Sequence, residues 1–467
     1  MSFVSIEFAL VALIFFPLYW GLRAHRRAQI FFLAASGYAL YFTWSVDVVK
    51  MLFLFSLGVW LAGMWINSAA GDRKPRMRMA IGILLAVMVL LFYKYYEFIR
   101  QFTSDALEGV GMHSFLPVVD VVAPVGISFF TFQAISYLVW QGQEQSDSRN
   151  VSLVRVMLYL GFWPTHFAGP IFRAEEFFKQ LDGDAVGAPI RVQRAVYIIL
   201  LGLAQKMVFA NWLDSTFVEE AFKYPDMQTG VTTLAAVLGY SLQIFLDFSG
   251  YTLIVTGLGL LLGFELPLNF RQPYMAASLK DFWQRWHISL SSFIRDYIYF
   301  PLGGNRKGYM RAQANTLAAM VISGLWHGAN YTFLVWGALH GLGVVCQNIF
   351  RKLFSMELPG TFSHLLTLAY VGFAWIFFRS DSIESAWLLL GGLGRGFGHL
   401  TVQHLYLLAF TLVFFLCSRR SEAIERGMLE LIERHRGWRL ASAATCAVFL
   451  IILFGPSGVP GFIYYRF

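Results

Sequence analysis

The sequence predicts an all-α protein built into a membrane, and three observations carry that prediction. Of 467 residues, 57% are hydrophobic and only 14% charged, with a mean hydropathy of +0.57. A soluble domain is about 45–50% apolar and about 25% charged. Apolar runs recur along the whole chain, most of them long enough to cross about 30 Å of hydrocarbon at 1.5 Å per residue. Basic residues alternate between the connections. Arg23, Arg26 and Arg27 follow the first run, the turn near 43–47 has none, and Arg73, Lys74, Arg76 and Arg78 follow the next pair. This positive-inside pattern puts the N-terminus outside the cytoplasm and accounts for the net charge of +8 without a nucleic-acid partner.

In order, the first runs lie near 3–22, 28–46, 50–67 and 79–99. The first lacks a basic leader and a small-residue cleavage site, so a retained span is expected. Pro124 and Gly126 interrupt the run 118–140, whose helix should start late or break. A span is expected near 151–168, then loops or short helices over the polar 169–191. The run 231–263 carries Asp247. That carboxylate either faces a cavity with a role or pairs with a basic group and holds the fold. Further runs lie near 192–212, 313–326, 330–349, 362–378, 402–417 and 441–455. The expectation is one membrane domain over 1–467 with roughly eleven to thirteen spans, plus interfacial or re-entrant helices. Arg419, Arg420, Arg426, Arg434, Arg436 and Arg439 mark 418–440 as cytoplasmic and place the tail 456–467 outside. Cys346, Cys417 and Cys446 show no metal-ligand spacing, and no metal is expected.

The stretch from Asp281 to His327 organises the chain. Taken as one helix over Asp281–Phe300, Trp283, Trp286, Leu290, Phe293, Tyr297 and Phe300 form an apolar stripe. Asp281, Arg285, Ser291, Ser292 and Arg295 lie opposite, and His287 flanks the stripe. So narrow a stripe suits an interface or a polar cavity inside protein. Between Arg271 and Arg311 stand seven Lys or Arg against two Asp, which suits lipid headgroups or a phosphate-bearing cofactor. His327 sits in GLWHGAN between apolar segments, where an ionisable group is a functional candidate. With an ordinary pKa of about 6.5, a neutral imidazole can take a hydroxyl proton near pH 7. There is no phosphate-binding loop, zinc word or nucleophile elbow, and Ser289, Ser291 and Ser292 lack G-x-S-x-G. No motif for nucleotide hydrolysis is present, so any group that the protein transfers should arrive already activated.

DFWQRWHISLSSFIRDYIYFPLGGNRKG and GLWHGANYTFLVWGALHG closely resemble the bacterial branch of the membrane-bound O-acyltransferases. That branch holds the membrane subunit of alginate O-acetyltransferase and the D-alanyl transfer protein of teichoic acid synthesis. APVGISFFTFQAISYLV (123–139), FWPTHFAGPIFR (162–173), GLAQKMVFAN (202–211) and LQIFLDFSGY (242–251) add to the resemblance, in order, through a core of 120–345. The resemblance implies a ring of tilted helices around a central tunnel, in a bacterial inner membrane. It implies transfer of an acyl group, acetyl above all, from cytoplasmic acetyl-CoA or an acyl carrier protein, with no bound cofactor. An extracytoplasmic transferase would complete O-acetylation of a cell-surface polysaccharide such as alginate. A D-alanyl-type transferase and a non-enzymatic polymer-export subunit are the alternatives.

By the same resemblance His327 is the catalytic histidine. His287 is the second, orienting the acyl group, donating to the developing oxyanion or holding Ser291. Asp281, Trp283, Arg285, Trp286, Ser291 and Arg295 are candidate donor contacts, although Arg285 and Arg295 could equally pair with Asp281 and Asp296. The chain departs from the family wording at Trp140 and Gln143, where an acid and an arginine are usual, and at Thr252, Leu253 and Ile254. Its end, GFIYYRF, places Phe462, Tyr464 and Phe467 in an F-x-Y-x-x-F pattern like that of a small peptide of the D-alanylation pathway. Tyr464 is thus either an acyl relay assisted by a base such as His327 or an interfacial anchor.

Overall fold

In hydrocarbon every backbone N–H and C=O has to be satisfied within its own segment, which leaves a chain of this composition with helices. The computed structural model describes residues 2–68, 75–112, 116–119, 123–143, 150–183, 191–354, 359–435 and 437–456, and no strand occurs among them. Eight of the described helices are long and apolar enough to span a membrane: Ile6–Ala24, Val46–Asn67, Pro75–Glu108, Val192–Lys223, Gly230–Leu262, Tyr331–Phe354, Gly360–Arg379 and Val402–Arg419. Other expected spans fall on shorter or more polar helices, among them Arg26–Phe42, Tyr309–His327 and Trp438–Phe454. The protein is a multi-pass membrane protein. Only 6% of the apolar window of Val402–Arg419 is buried in protein, which leaves the rest for lipid, whereas 78% of that of Gly230–Leu262 is buried. The chain forms two compact units, Met1–Ala195 with Val255–Pro267, and Val196–Ile254 with Leu268–Phe467.

In the first unit, Ser5 caps the opening helix by accepting from the Phe8 N–H at 3.3 Å. At the other end of that helix Tyr19 Oη donates to the Leu262 carbonyl (3.0 Å) and Trp20 Nε1 to the Leu261 carbonyl (2.9 Å). These carbonyls end a helix and have no partner within it, so the aromatic heads serve as its cap. The interrupted run 118–140 does start late, as a helix over Ile127–Gln141 entered through Gly126 at φ +84°. The span expected near 151–168 is instead an eight-residue helix, Leu153–Leu160, followed by a 3-10 turn at Trp163–Thr165. Gly161 and Pro164 interrupt that apolar run, and hydropathy counting does not register such breaks. The described residues of the polar 169–191 segment include a short amphipathic helix, Ala174–Asp182, with Phe177, Phe178 and Leu181 buried. Trp140 stacks on Phe178 at 5.0 Å, and the Arg155 guanidinium lies over the same ring. An aromatic sandwich thus occupies the place where the family wording has an acid.

The helix Val192–Lys223, which belongs to the second unit from Val196 onwards, is distorted by π turns at Ala204–Ala210 and Asp214–Val218. Gly202 and Gly250 bring this helix against Gly230–Leu262, and a Cβ on Gly250 would lie 2.7 Å from the Gly202 carbonyl oxygen. There Lys206 pairs with Asp247, both almost fully buried. Of the two readings of Asp247, the structure shows the paired one. Tyr309–His327 and Tyr331–Phe354 form an antiparallel hairpin whose crossing depends on small residues. A Cβ on Gly337 would meet the Met320 carbonyl oxygen at 2.6 Å and Gly324 at 3.1 Å, and one on Gly341 would meet Leu317 at 2.8 Å. Small residues four apart allow this backbone approach. The hairpin carries His327 at the end of its first helix and His340 within its second. Cys346, Cys417 and Cys446 are free thiols on exposed surface.

Candidate active site

The single helix expected over Asp281–Phe300 is two helices. Ser278 caps the first, Leu279–Arg285, by accepting from the Asp281 N–H. The second is Ile288–Ile294, running into a π turn at Arg295–Tyr299. Between them His287 adopts φ +43°, a left-handed backbone that costs a non-glycine residue about 1–3 kcal/mol. Periodicity missed the break because the residues on both sides keep a helical spacing. The stripe splits accordingly: Trp286, Leu290 and Phe293 are buried, whereas Phe300 is 51% exposed.

Asn269 holds the break in place. Its backbone carbonyl accepts from the Ile288 N–H at 2.9 Å. Its Oδ1 accepts from Ser289 Oγ (2.5 Å) and the Ser289 N–H (3.4 Å), and lies 3.3 Å from His287 Nδ1. The Ser289 N–H requires an acceptor, which fixes the amide with its oxygen inward. His287 must then carry its proton on Nδ1, leaving Nε2 as an acceptor. That Nε2 is buried without a hydrogen-bond partner among the described residues. Asn269 was not a sequence candidate. Its only signal was a polar residue between Leu268 and Phe270 at the end of an apolar run.

His327, 4% exposed, ends the first helix of the hairpin. Its ring is walled by Trp326, Trp336 and Phe378, at 5.0, 5.1 and 5.1 Å between ring centres. Trp326 also touches His287, at 6.1 Å, and Phe248 closes the other side of His287 at 4.7 Å. Two histidines forty positions apart therefore share one indole as neighbour.

The remaining candidates are dispersed. Trp286 packs on Trp375 and Phe282, and Trp283 on Trp336 and His340. Asp281 accepts from Arg285 Nε at 2.7 Å, and Arg295 pairs with its neighbour Asp296 at 2.7 Å on the surface. Ser291 Oγ donates to the Trp286 carbonyl at 3.1 Å; Ser289, not Ser291, is the serine joined to His287 through Asn269. Tyr464 and the tail from 457 onwards lie outside the described residues. Among the described residues no three of His, Cys, Asp and Glu come together as a metal site.

Residues 80–384 match the model of the membrane-bound O-acyltransferase family. The chain belongs to that family. It is 32% identical over 383 residues to the probable alginate O-acetylase AlgI of Pseudomonas aeruginosa, covering 80% of this chain and 72% of the relative. To the peptidoglycan O-acetyltransferase of Helicobacter pylori it is 29% identical over 408 residues, covering 80% and 76%. To the teichoic acid D-alanyltransferase of Bacillus subtilis it is 26% identical over 249 residues, covering 50% and 62%. The protein is thus an O-acyltransferase that works on an acyl donor from within a membrane. For O-acyl transfer the geometry provides imidazoles held among rings. Such an imidazole can take a hydroxyl proton and later return it to a leaving group.

Proposed function

We propose that this O-acyltransferase moves an acetyl group from a cytoplasmic thioester, acetyl-CoA, across the bacterial inner membrane for O-acetylation of a cell-surface polysaccharide, alginate or a related polymer. The observation that carries this reading is the pair of buried histidines, His287 and His327, that share Trp326 as a neighbour. His327 takes the proton of the accepting hydroxyl as its oxygen attacks the thioester carbonyl. When the C–S bond breaks, the imidazolium returns that proton to the sulfur. His287, anchored by Asn269, orients the acyl group. The donor is drawn in by the basic surplus around Arg285 and Arg295, with Asp281, Trp283, Trp286 and Ser291 shaping that side. Acetyl is favoured over D-alanyl because the named O-acetyl-transferring relatives align over 80% of this chain and the D-alanyltransferase over 50%. Purified protein in liposomes should release free coenzyme A thiol from acetyl-CoA when an acceptor is supplied. Turnover only with an acylated carrier protein would move the reading to the D-alanyl type.

The proposal extends to Tyr464 as the acceptor hydroxyl on this chain, handing the acetyl group to an extracytoplasmic transferase. Mass spectrometry of the C-terminal peptide, with that partner absent, should show an alkali-labile acetyl adduct on Tyr464. Full polymer acetylation by Tyr464→Phe would leave the tail only an anchor.

A further inference from the structure

The first unit holds a groove that takes no part in the chemistry above. Val46–Asn67 and Pro75–Glu108 run antiparallel and close on each other at one end. There Arg78 donates to the Trp65 carbonyl at 2.8 Å. One turn on, a Cβ added to Gly82 would lie 3.5 Å from the Ala62 methyl and 3.4 Å from Leu138. Toward the other end the two helices leave a concavity of about 530 Å³, with Met51, Leu54, Val59, Leu85 and Val89 in its walls. Gly58 opens onto it, and a Cβ there would meet no atom within 4 Å. Protein interiors are close-packed, and an unfilled gap forfeits contacts on all its walls. In a membrane this apolar groove is therefore filled from outside, by something apolar along most of its length.

Length and charge narrow the choice. From Lys50 to Ala62 the groove follows about 18 Å of helix axis at 1.5 Å per residue. A helix of a partner protein would need about 30 Å to cross the hydrocarbon. The groove offers little more than half of that, the depth of one leaflet and the reach of one acyl chain. At its shallow end stand Asp47 and Lys50, both exposed, with the Lys50 ammonium 3.1 Å from Asp47 Oδ1. Ser45 caps the helix there by accepting from the Asp47 N–H at 3.2 Å, so the pair lies where the span begins. Tyr93 lines the same mouth from the other helix, at the level where tyrosines gather in membranes. The mouth thus offers one cation and one anion. A purely anionic headgroup would meet Asp47 as well as Lys50, whereas a phosphate followed by a primary ammonium suits both.

We propose that this groove seats one phosphatidylethanolamine molecule, with an acyl chain lying along Gly58, the phosphate on Lys50 and the ammonium on Asp47. The assignment is independent of the acyl-transfer reading. Full-length protein, stripped of lipid in detergent, is titrated by native mass spectrometry with phosphatidylethanolamine and with phosphatidylglycerol of the same acyl chains. The unaltered protein should retain one phosphatidylethanolamine, about two- to fivefold more tightly than phosphatidylglycerol, the range of an exposed ion pair. Gly58→Leu puts a side chain into the open space and should weaken both lipids about tenfold, without lowering the melting temperature of the lipid-free protein. Asp47→Asn combined with Lys50→Gln leaves the groove open and should erase the preference between the two lipids. A phosphatidylethanolamine with a photoreactive group midway along one acyl chain, supplied at one per protein, should label residues within 50–62 and 82–93. That measurement uses the unaltered protein and so does not depend on how a variant folds. Labelling elsewhere, or unchanged affinity in Gly58→Leu, overturns the seat. Equal affinity of the unaltered protein for the two lipids, or a preference that survives the double variant, overturns the headgroup assignment. If neither lipid is retained, an apolar protein segment or detergent fills the space and the proposal falls.

Discussion

Replacing His327 by alanine should lower acyl transfer about 10²–10⁴-fold, the usual contribution of a positioned general base, while the protein still inserts and folds. The ring is enclosed by Trp326, Trp336 and Phe378, so alanine also opens a cavity. His327→Gln separates the two effects, because it retains a polar side chain of similar volume but cannot take a proton. Loss in both variants, with unchanged melting temperature for the glutamine form, marks a chemical role. Near-normal acetylation of the exported polymer by either variant would remove His327 from the reaction.

The second large effect is on stability. Lys206→Met takes the ammonium away from Asp247 at a site where both side chains are buried. Leaving a buried charge without its counter-charge typically costs about 3–5 kcal/mol, a large part of the about 5–15 kcal/mol that holds a domain folded. The single variant should lose folded yield in detergent and melt far lower. The double variant Lys206→Met with Asp247→Leu removes both charges and should regain most of that loss, since apolar pairs of like volume often replace buried ion pairs at no cost. If the double variant folds but does not transfer acyl groups, the pair has a role in the reaction. If it is as unstable as the single variant, the pair is not what holds Val192–Lys223 to Gly230–Leu262.

Both experiments concern residues of different legibility. His327 was readable because an ionisable group between apolar runs is conspicuous in one dimension. Asp247 was equally conspicuous, but its partner was not: Lys206 lies forty-one positions away, on a helix distorted by a π turn that no periodicity announces. Ser291 stood on the expected polar face, yet Ser289 and Asn269 form the network around His287.

By itself the sequence determined the helical, membrane-spanning class, the family wording and the two histidine positions. Hydropathy and motif spacing are sums over neighbouring residues, and they survive without knowledge of the fold. Only the tertiary structure decided where the Asp281–Phe300 stripe breaks, that Trp326 neighbours both His287 and His327, and that His340 is buried among indoles. These depend on contacts such as Asn269 to His287 and Gly337 to Gly324. Helix packing brings such residues together, and a one-dimensional pattern carries no term for a partner distant along the chain.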